Sequence, residues 1–180
     1  APIQFCNGET LTELYLANNK LKEMCGLKHL KNLRKLDLGA NRLRVLKEEE
    51  LSGMTKLEEL WVGKNKIETL DGIQSLKKLK RLDVQSNRLT SVVNEEDLCC
   101  LNPLRETLEE LYMAHNGLDD AGISGLISLK GRGGDGPIFP QLNVCVELNI
   151  TVKLQALLTL LHNSHGTTSQ ECVDFGYVLT

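Results

Sequence analysis

"LEELWVGKN", residues 57 to 65, carries the only tryptophan of a chain whose composition is 4% aromatic. Leu57 and Leu60 stand three apart, Val62 follows two further on, and Asn65 three beyond that. If Leu60 to Val62 is extended, successive side chains point to opposite faces. Leu60 and Val62 then face a core, and Trp61 between them faces water. The stretch reads L-x-x-L-x-L-x-x-N, and Ile67 adds one more apolar position.

The frame recurs on both sides. Leu11, Leu14, Leu16, Asn19 and Leu21 fit it, as do Leu33, Leu36, Leu38, Asn41 and Leu43. After it come Leu79, Leu82, Val84, Asn87 and Leu89, then Leu108, Leu111, Met113, Asn116 and Leu118, with offsets of 22, 24, 22 and 29 residues. Five in-frame copies are the signature of leucine-rich repeats. The expected fold is therefore an α/β solenoid. Short parallel strands line its concave face, and 3-10 or helical returns form the convex one. The returns agree: Met24, Leu27 and Leu30, then Leu70, Ile73 and Leu76, advance in steps of three, which suits a 3-10 turn.

Asn19, Asn41, Asn65, Asn87 and Asn116 fall where each turn bends inward beyond the reach of water. A carboxamide donates and accepts at once, so these five predict a structural ladder between turns and no catalytic role. Lys47 to Glu50 helps lengthen the second return. "SVVNEEDLCCLNPLRET" (91–107) lengthens the fourth, with Asn94 placed as a helix N-cap. Such insertions map to loops or the convex side.

Residues 1–10 read as a partial preceding repeat or cap, 11–130 as the repeat domain and 131–180 as a divergent tail, poorly ordered if it does not complete the solenoid. "KGRGGDGP" (130–137) reads as a linker. A degenerate sixth repeat can be fitted through Val144, Val146 and Asn149, with Gln141 at its first core position; the alternative is a tail outside the array. A terminal turn needs a polar cap, and none is legible, so a 1–130 truncation is expected to aggregate. The chain opens on Ala1 without a secretory pattern and reads as a fragment or processed product.

A net charge of −3 gives no general pull toward nucleic acid or anionic membrane, and no apolar run approaches the roughly 20 residues of a membrane span. The six cysteines include no C-x-x-C pair and read as reduced thiols serving as small core residues. His162 and His165 lack ligand partners, so no metal and no cofactor is expected. The sequon at Asn149 stands without other signs of secretion. No Ser/His/Asp grouping or Gly-rich phosphate loop points to an enzyme or a small-molecule site.

Function is instead legible on the outward strand positions. The middle row reads Tyr15, Asp37, Trp61, Asp83, Tyr112, and it gathers every aromatic between Cys6 and Ile138. With strands about 4.8 Å apart, aromatics are expected to recur at about 10 Å. The preceding row, Glu13, Lys35, Glu59, Arg81, Glu110, alternates in sign and predicts cross-strand ion pairs. The following row, Ala17, Gly39, Gly63, Gln85, Ala114, is small or neutral and leaves the aromatics uncovered. Lys20, Arg42, Lys66 and Arg88 line one edge. An exposed Trp and Tyr row on a rigid concave sheet is the composition of a protein-binding surface.

"LEELWVGKNKIETLDGI" (57–73), "LKRLDVQSNRLTSV" (79–92) and "LEELYMAHNGL" (108–118) resemble consecutive repeats of the leucine-rich-repeat regulatory subunit of protein phosphatase 1, the regulatory subunit 7 family. The likeness extends over about residues 10–126. "GKNKI", "QSNRLT" and "HNGL" are its more specific strings. The resemblance implies a nuclear and cytoplasmic scaffold without activity of its own, binding the phosphatase catalytic subunit. By position, Asp37, Glu59, Trp61, Asp83, Glu110 and Tyr112 are implied as contacts, and Tyr15 shares their row. The family has about twice as many repeats as this array. An intracellular leucine-rich-repeat adaptor of ciliary or splicing-particle type is the alternative. An extracellular receptor is disfavoured, since the returns lack a G-x-I-P ending and cysteine-bearing caps.

Overall fold

The computed structural model describes residues 8–92, 100–118 and a strand at 143–145. The second leucine of each repeat sits at the centre of a three-residue strand: β1 (Glu13–Tyr15), β2 (Lys35–Asp37), β3 (Glu59–Trp61), β4 (Arg81–Asp83) and β5 (Glu110–Tyr112), followed by β6 (Asn143–Cys145). All run parallel in one six-stranded sheet in chain order. The register follows the repeat frame, with Leu14 opposite Leu36, Leu36 opposite Leu60, Leu60 opposite Leu82 and Leu82 opposite Leu111. Val144 continues this column opposite Leu111, at the place the degenerate sixth repeat assigns it. Residues 1–7, the 93–99 segment with Asn94, the 130–137 linker, the 149–151 sequon, His162 and His165 lie outside the described residues.

Three residues suffice for a strand because hydrogen bonding continues into the bend. Leu38 N donates to Trp61 O at 2.7 Å, Ala40 N to Gly63 O at 2.8 Å and Lys64 N to Gln85 O at 2.7 Å. The bend itself passes through a left-handed residue in every turn: Asn18, Ala40, Lys64, Ser86 and His115, with φ of 58°, 51°, 55°, 52° and 56°. That conformation disfavours side chains with a Cβ, and none of the five is glycine. The inter-turn bonds hold it in place.

Each of these residues immediately precedes a ladder asparagine. Asn65 Nδ2 donates to Val62 O in its own turn at 2.9 Å and to Leu38 O in the preceding turn at 3.0 Å, while its Oδ1 accepts Leu43 N at 3.0 Å. Asn41, Asn87 and Asn116 repeat the arrangement one turn at a time. Asn19, at the first turn, is exposed and bonds Leu16 O and Ala17 O within its own turn.

The core is a stack of equivalent side chains. Leu36, Leu60, Leu82 and Leu111 form one buried column and Leu38, Val62, Val84 and Met113 another. The returns add Met24, Leu46, Leu70 and Val92, then Leu30, Met54, Leu76 and Leu104. Leu11, Leu14, Leu16 and Leu21 of the first turn are only partly buried against them.

The returns carry a short helix, α1 (Glu48–Leu51), and 3-10 turns at Asp71–Ile73 and Asn102–Leu104. The lengthening at Lys47 to Glu50 has a structural use: Glu50 Oε2 accepts Leu27 N at 2.7 Å and Lys28 N at 3.2 Å from the preceding return. The returns approach so closely that a Cβ on Gly72 would lie 1.7 Å from Leu46 O, and one on Gly53 2.1 Å from Lys28 O. Cys100 is buried, as expected of a small core residue, but Cys25 is exposed. Its neighbours Met24 and Leu27 take the inward positions of that return, which turns Cys25 outward. Among the described residues, no helix is long and apolar enough to cross a membrane.

Candidate functional site

The sheet brings the outward row together in the predicted order: Tyr15 beside Asp37, Asp37 beside Trp61, Trp61 beside Asp83 and Asp83 beside Tyr112. What the side chains do there differs from an even row. Trp61 and Tyr112 stack, with ring centroids 6.2 Å apart and planes inclined by 19°. The expected spacing of about 10 Å is shortened because Asp83, between them, is short and turned down. Its Oδ1 accepts Gln85 N at 2.8 Å, and its carboxylate lies where a Cβ on Gly63 would meet it at 3.1 Å. The two rings close over the gap. Trp61 is consequently half-buried and not open to water as its alternation suggests; Tyr15 is the exposed aromatic, at 57%.

The second gap in the row is filled differently. Asp37 also bends down, its Oδ1 accepting Gly39 N at 2.9 Å. Lys35 Nζ occupies the space above, 5.8 Å from the centroid of Tyr15 and 5.6 Å from that of Trp61. Cation–π contacts of this kind contribute about 0.5–1 kcal/mol at exposed sites. Tyr15, Lys35, Trp61 and Tyr112 thus form one continuous strip. Sequence reasoning placed Lys35 in an ion-pair row and missed its position between the rings. The signal available was the alternation of E-L-aromatic with basic-L-Asp strands.

That alternation orders the ion pairs too. Lys35 Nζ lies 3.1 Å from Glu59 Oε2, Arg81 Nη1 3.1 Å from Glu59 Oε1, and Arg81 Nη2 donates to Glu110 Oε1 at 2.8 Å. Each glutamate also accepts from the aromatic two residues later in its own strand. Tyr15 OH reaches Glu13 at 2.7 Å, Trp61 Nε1 reaches Glu59 at 3.1 Å, and Tyr112 OH reaches Glu110 at 2.7 Å. The Trp61 and Tyr112 rings are thereby fixed by the same carboxylates, Glu59 and Glu110, that bind Lys35 and Arg81.

These contacts set the ionisation. The Arg81 hydrogen bond, then that of Tyr112, lowers the Glu110 carboxyl to about 2. Burial disfavours the charge on Glu59, but hydrogen bonds from Trp61 and Lys35 outweigh it and its pKa is lowered. Asp83 moves the other way: burial raises its pKa, against the stabilising bonds from Gln85. Both aspartates therefore serve the bend as well as the concave face. Among the described residues, no group of three or more His, Cys, Asp or Glu is placed to hold a metal ion.

The chain belongs to the leucine-rich-repeat proteins. Leucine-rich-repeat family models match residues 9–67 and 31–89, and a further one matches 106–126, together more than half of the chain. Within that class, it is similar to the protein phosphatase 1 regulatory inhibitor subunit PPP1R7 homolog of Arabidopsis thaliana. The two are 49% identical over 49 residues, which is 27% of this chain and 14% of that protein. The match thus spans far less than two thirds of that relative. Among solved structures, an internalin (inlF) of Listeria monocytogenes superposes with a TM-score of 0.53 at 22% identity, over 84% of this chain and 46% of that one. At that identity the likeness speaks for the solenoid fold alone.

Proposed function

We propose that this chain is part of a non-catalytic scaffold that binds the protein phosphatase 1 catalytic subunit through its concave face. The observation that carries the reading is the Tyr15–Lys35–Trp61–Tyr112 strip, pre-ordered by hydrogen bonds to Glu13, Glu59 and Glu110. Aromatic side chains held in one conformation lose little entropy when a partner covers them, which favours hot spots. Asp37, Asp83, Glu59 and Glu110 give the strip an acidic surround suited to basic groups on the partner. The similarity to a phosphatase regulatory subunit homolog supports the partner's identity. The reading carries with it a nuclear and cytoplasmic location, as the family resemblance implies, and no role for nucleic acid, membrane or small molecules.

Affinity capture from lysate tests it, with wild type beside Trp61→Ala and Tyr112→Ala. Truncating a hot spot typically costs about 2 kcal/mol or more, so phosphatase recovery is expected to fall sharply for both variants. Equal recovery by all three proteins would defeat the concave-face assignment. Absence of the phosphatase from every capture would favour the general intracellular adaptor.

A further inference from the structure

A second surface lies outside the concave strip. Past the asparagine ladder, Lys22, Glu23, Arg42, Arg44, Val45, Lys47 and Lys66 line an open groove of about 580 Å³. Five of these seven are cations, in a chain whose net charge is −3. The groove is therefore a local concentration of positive charge against the general trend. Glu23 is already occupied, with Lys47 Nζ 2.9 Å away. Lys22, Arg42, Arg44 and Lys66 have no ion-pair partner among the described residues.

Their placement is set by the repeat. Arg42 and Lys66 each follow a ladder asparagine, and their backbone N–H groups donate to Leu21 O and Leu43 O, both at 2.8 Å. They therefore sit one strand spacing apart, about 4.8 Å. Lys22 and Arg44 are equivalent one step further on, and Glu68 takes that place in the third turn and ends the basic run. Four cations gathered along one edge favour an anion there. Beside them Val45 is 58% exposed, although its neighbours Leu43 and Leu46 are buried.

We propose that this edge groove binds an extended acidic protein segment, its carboxylates meeting Lys22, Arg42, Arg44 and Lys66 and one aliphatic side chain resting on Val45. Three turns span about 10 Å, the reach of about three extended residues. The lining holds no aromatic ring on which a base could stack. Its single aliphatic residue offers too little apolar surface to enter a bilayer. An Asp/Glu-rich peptide matches both the charge and the size.

Fluorescence anisotropy with a labelled decapeptide of Glu and Asp around one central leucine tests this at about physiological ionic strength. Wild type is expected to bind. Arg42→Glu with Lys66→Glu is expected to weaken binding by about tenfold or more, Arg42→Gln with Arg44→Gln by less, and Val45→Ser measurably. Trp61→Ala should leave the peptide affinity unchanged, so this groove and the concave face fail or succeed separately. No binding by wild type, or equal binding by the charge-reversed and wild-type proteins, overturns the proposal. So does tighter binding of an RNA dodecamer or of phosphatidylserine vesicles than of the peptide. All the substituted groove residues are exposed or half-buried on the surface, and circular dichroism checks that each variant is folded.

Discussion

Asn65 is buried to within 8% of its surface and satisfies one donor and two acceptors in adjacent turns. Asn65→Leu leaves those groups unpaired, at an expected cost of about 1–3 kcal/mol. Asn19→Leu should cost less, because Asn19 is exposed and bonds only its own turn. Urea unfolding of the two variants checks the order, and equal losses would mean the ladder does not join turns. Glu110 provides a second residue-level test. Its folded pKa of about 2 lies below the reference of 4.5, so its stabilisation is complete above that reference. It is lost as pH falls from 4.5 toward about 2. Glu110→Gln is expected to flatten the fall in melting temperature across that window and leave the profile above it unchanged in shape. An identical acid limb in both proteins would refute the role assigned to Arg81 and Tyr112.

At the scale of the element, the strands were legible because period-two alternation inside a repeat of 22 to 29 residues leaves one register. The ladder asparagines were legible for the same reason. The left-handed residue before each of them was not, since Asn18, Ala40, Lys64, Ser86 and His115 share no side-chain chemistry; in the first four, the backbone N–H is bonded to a carbonyl of the next turn. The collapse of Trp61 onto Tyr112 was also hidden, because it depends on Asp83 turning down over Gly63. The row of small residues was readable, but its reason, room for the aspartate carboxylates, appears only in three dimensions. On the convex side the tolerance of the stacked returns is testable. Gly72→Ala forces a methyl into Leu46 O and should destabilise by about 1–3 kcal/mol. Gly117→Ala, whose Cβ would meet Leu89 O at an ordinary 3.8 Å, should stay within about 0.5 kcal/mol. Comparable losses at both glycines would show that close return packing does not limit the fold.

Over the whole molecule, each turn contacts its neighbours, so the stack behaves as a one-dimensional array. β6 extends that array by pairing Val144 with Leu111, where sequence left a sixth repeat and a separate tail as alternatives. Gln141 at the expected first core position weakened the pattern, whereas the backbone pairing of β6 sets Val144 opposite Leu111. The array sorts its chemistry by side: aromatics and ion-paired charges on the concave face, cations without an ion-pair partner among the described residues past the ladder, apolar columns within. A single folded unit can thereby present two charge-distinct surfaces to two parts of an assembly. Calorimetric titration of the purified phosphatase catalytic subunit into wild type and Trp61→Ala tests binding at the concave surface. The expected result is saturable binding by wild type, weakened about thirtyfold or more in the variant. Equal affinities, or no heat of binding to wild type, would contradict it.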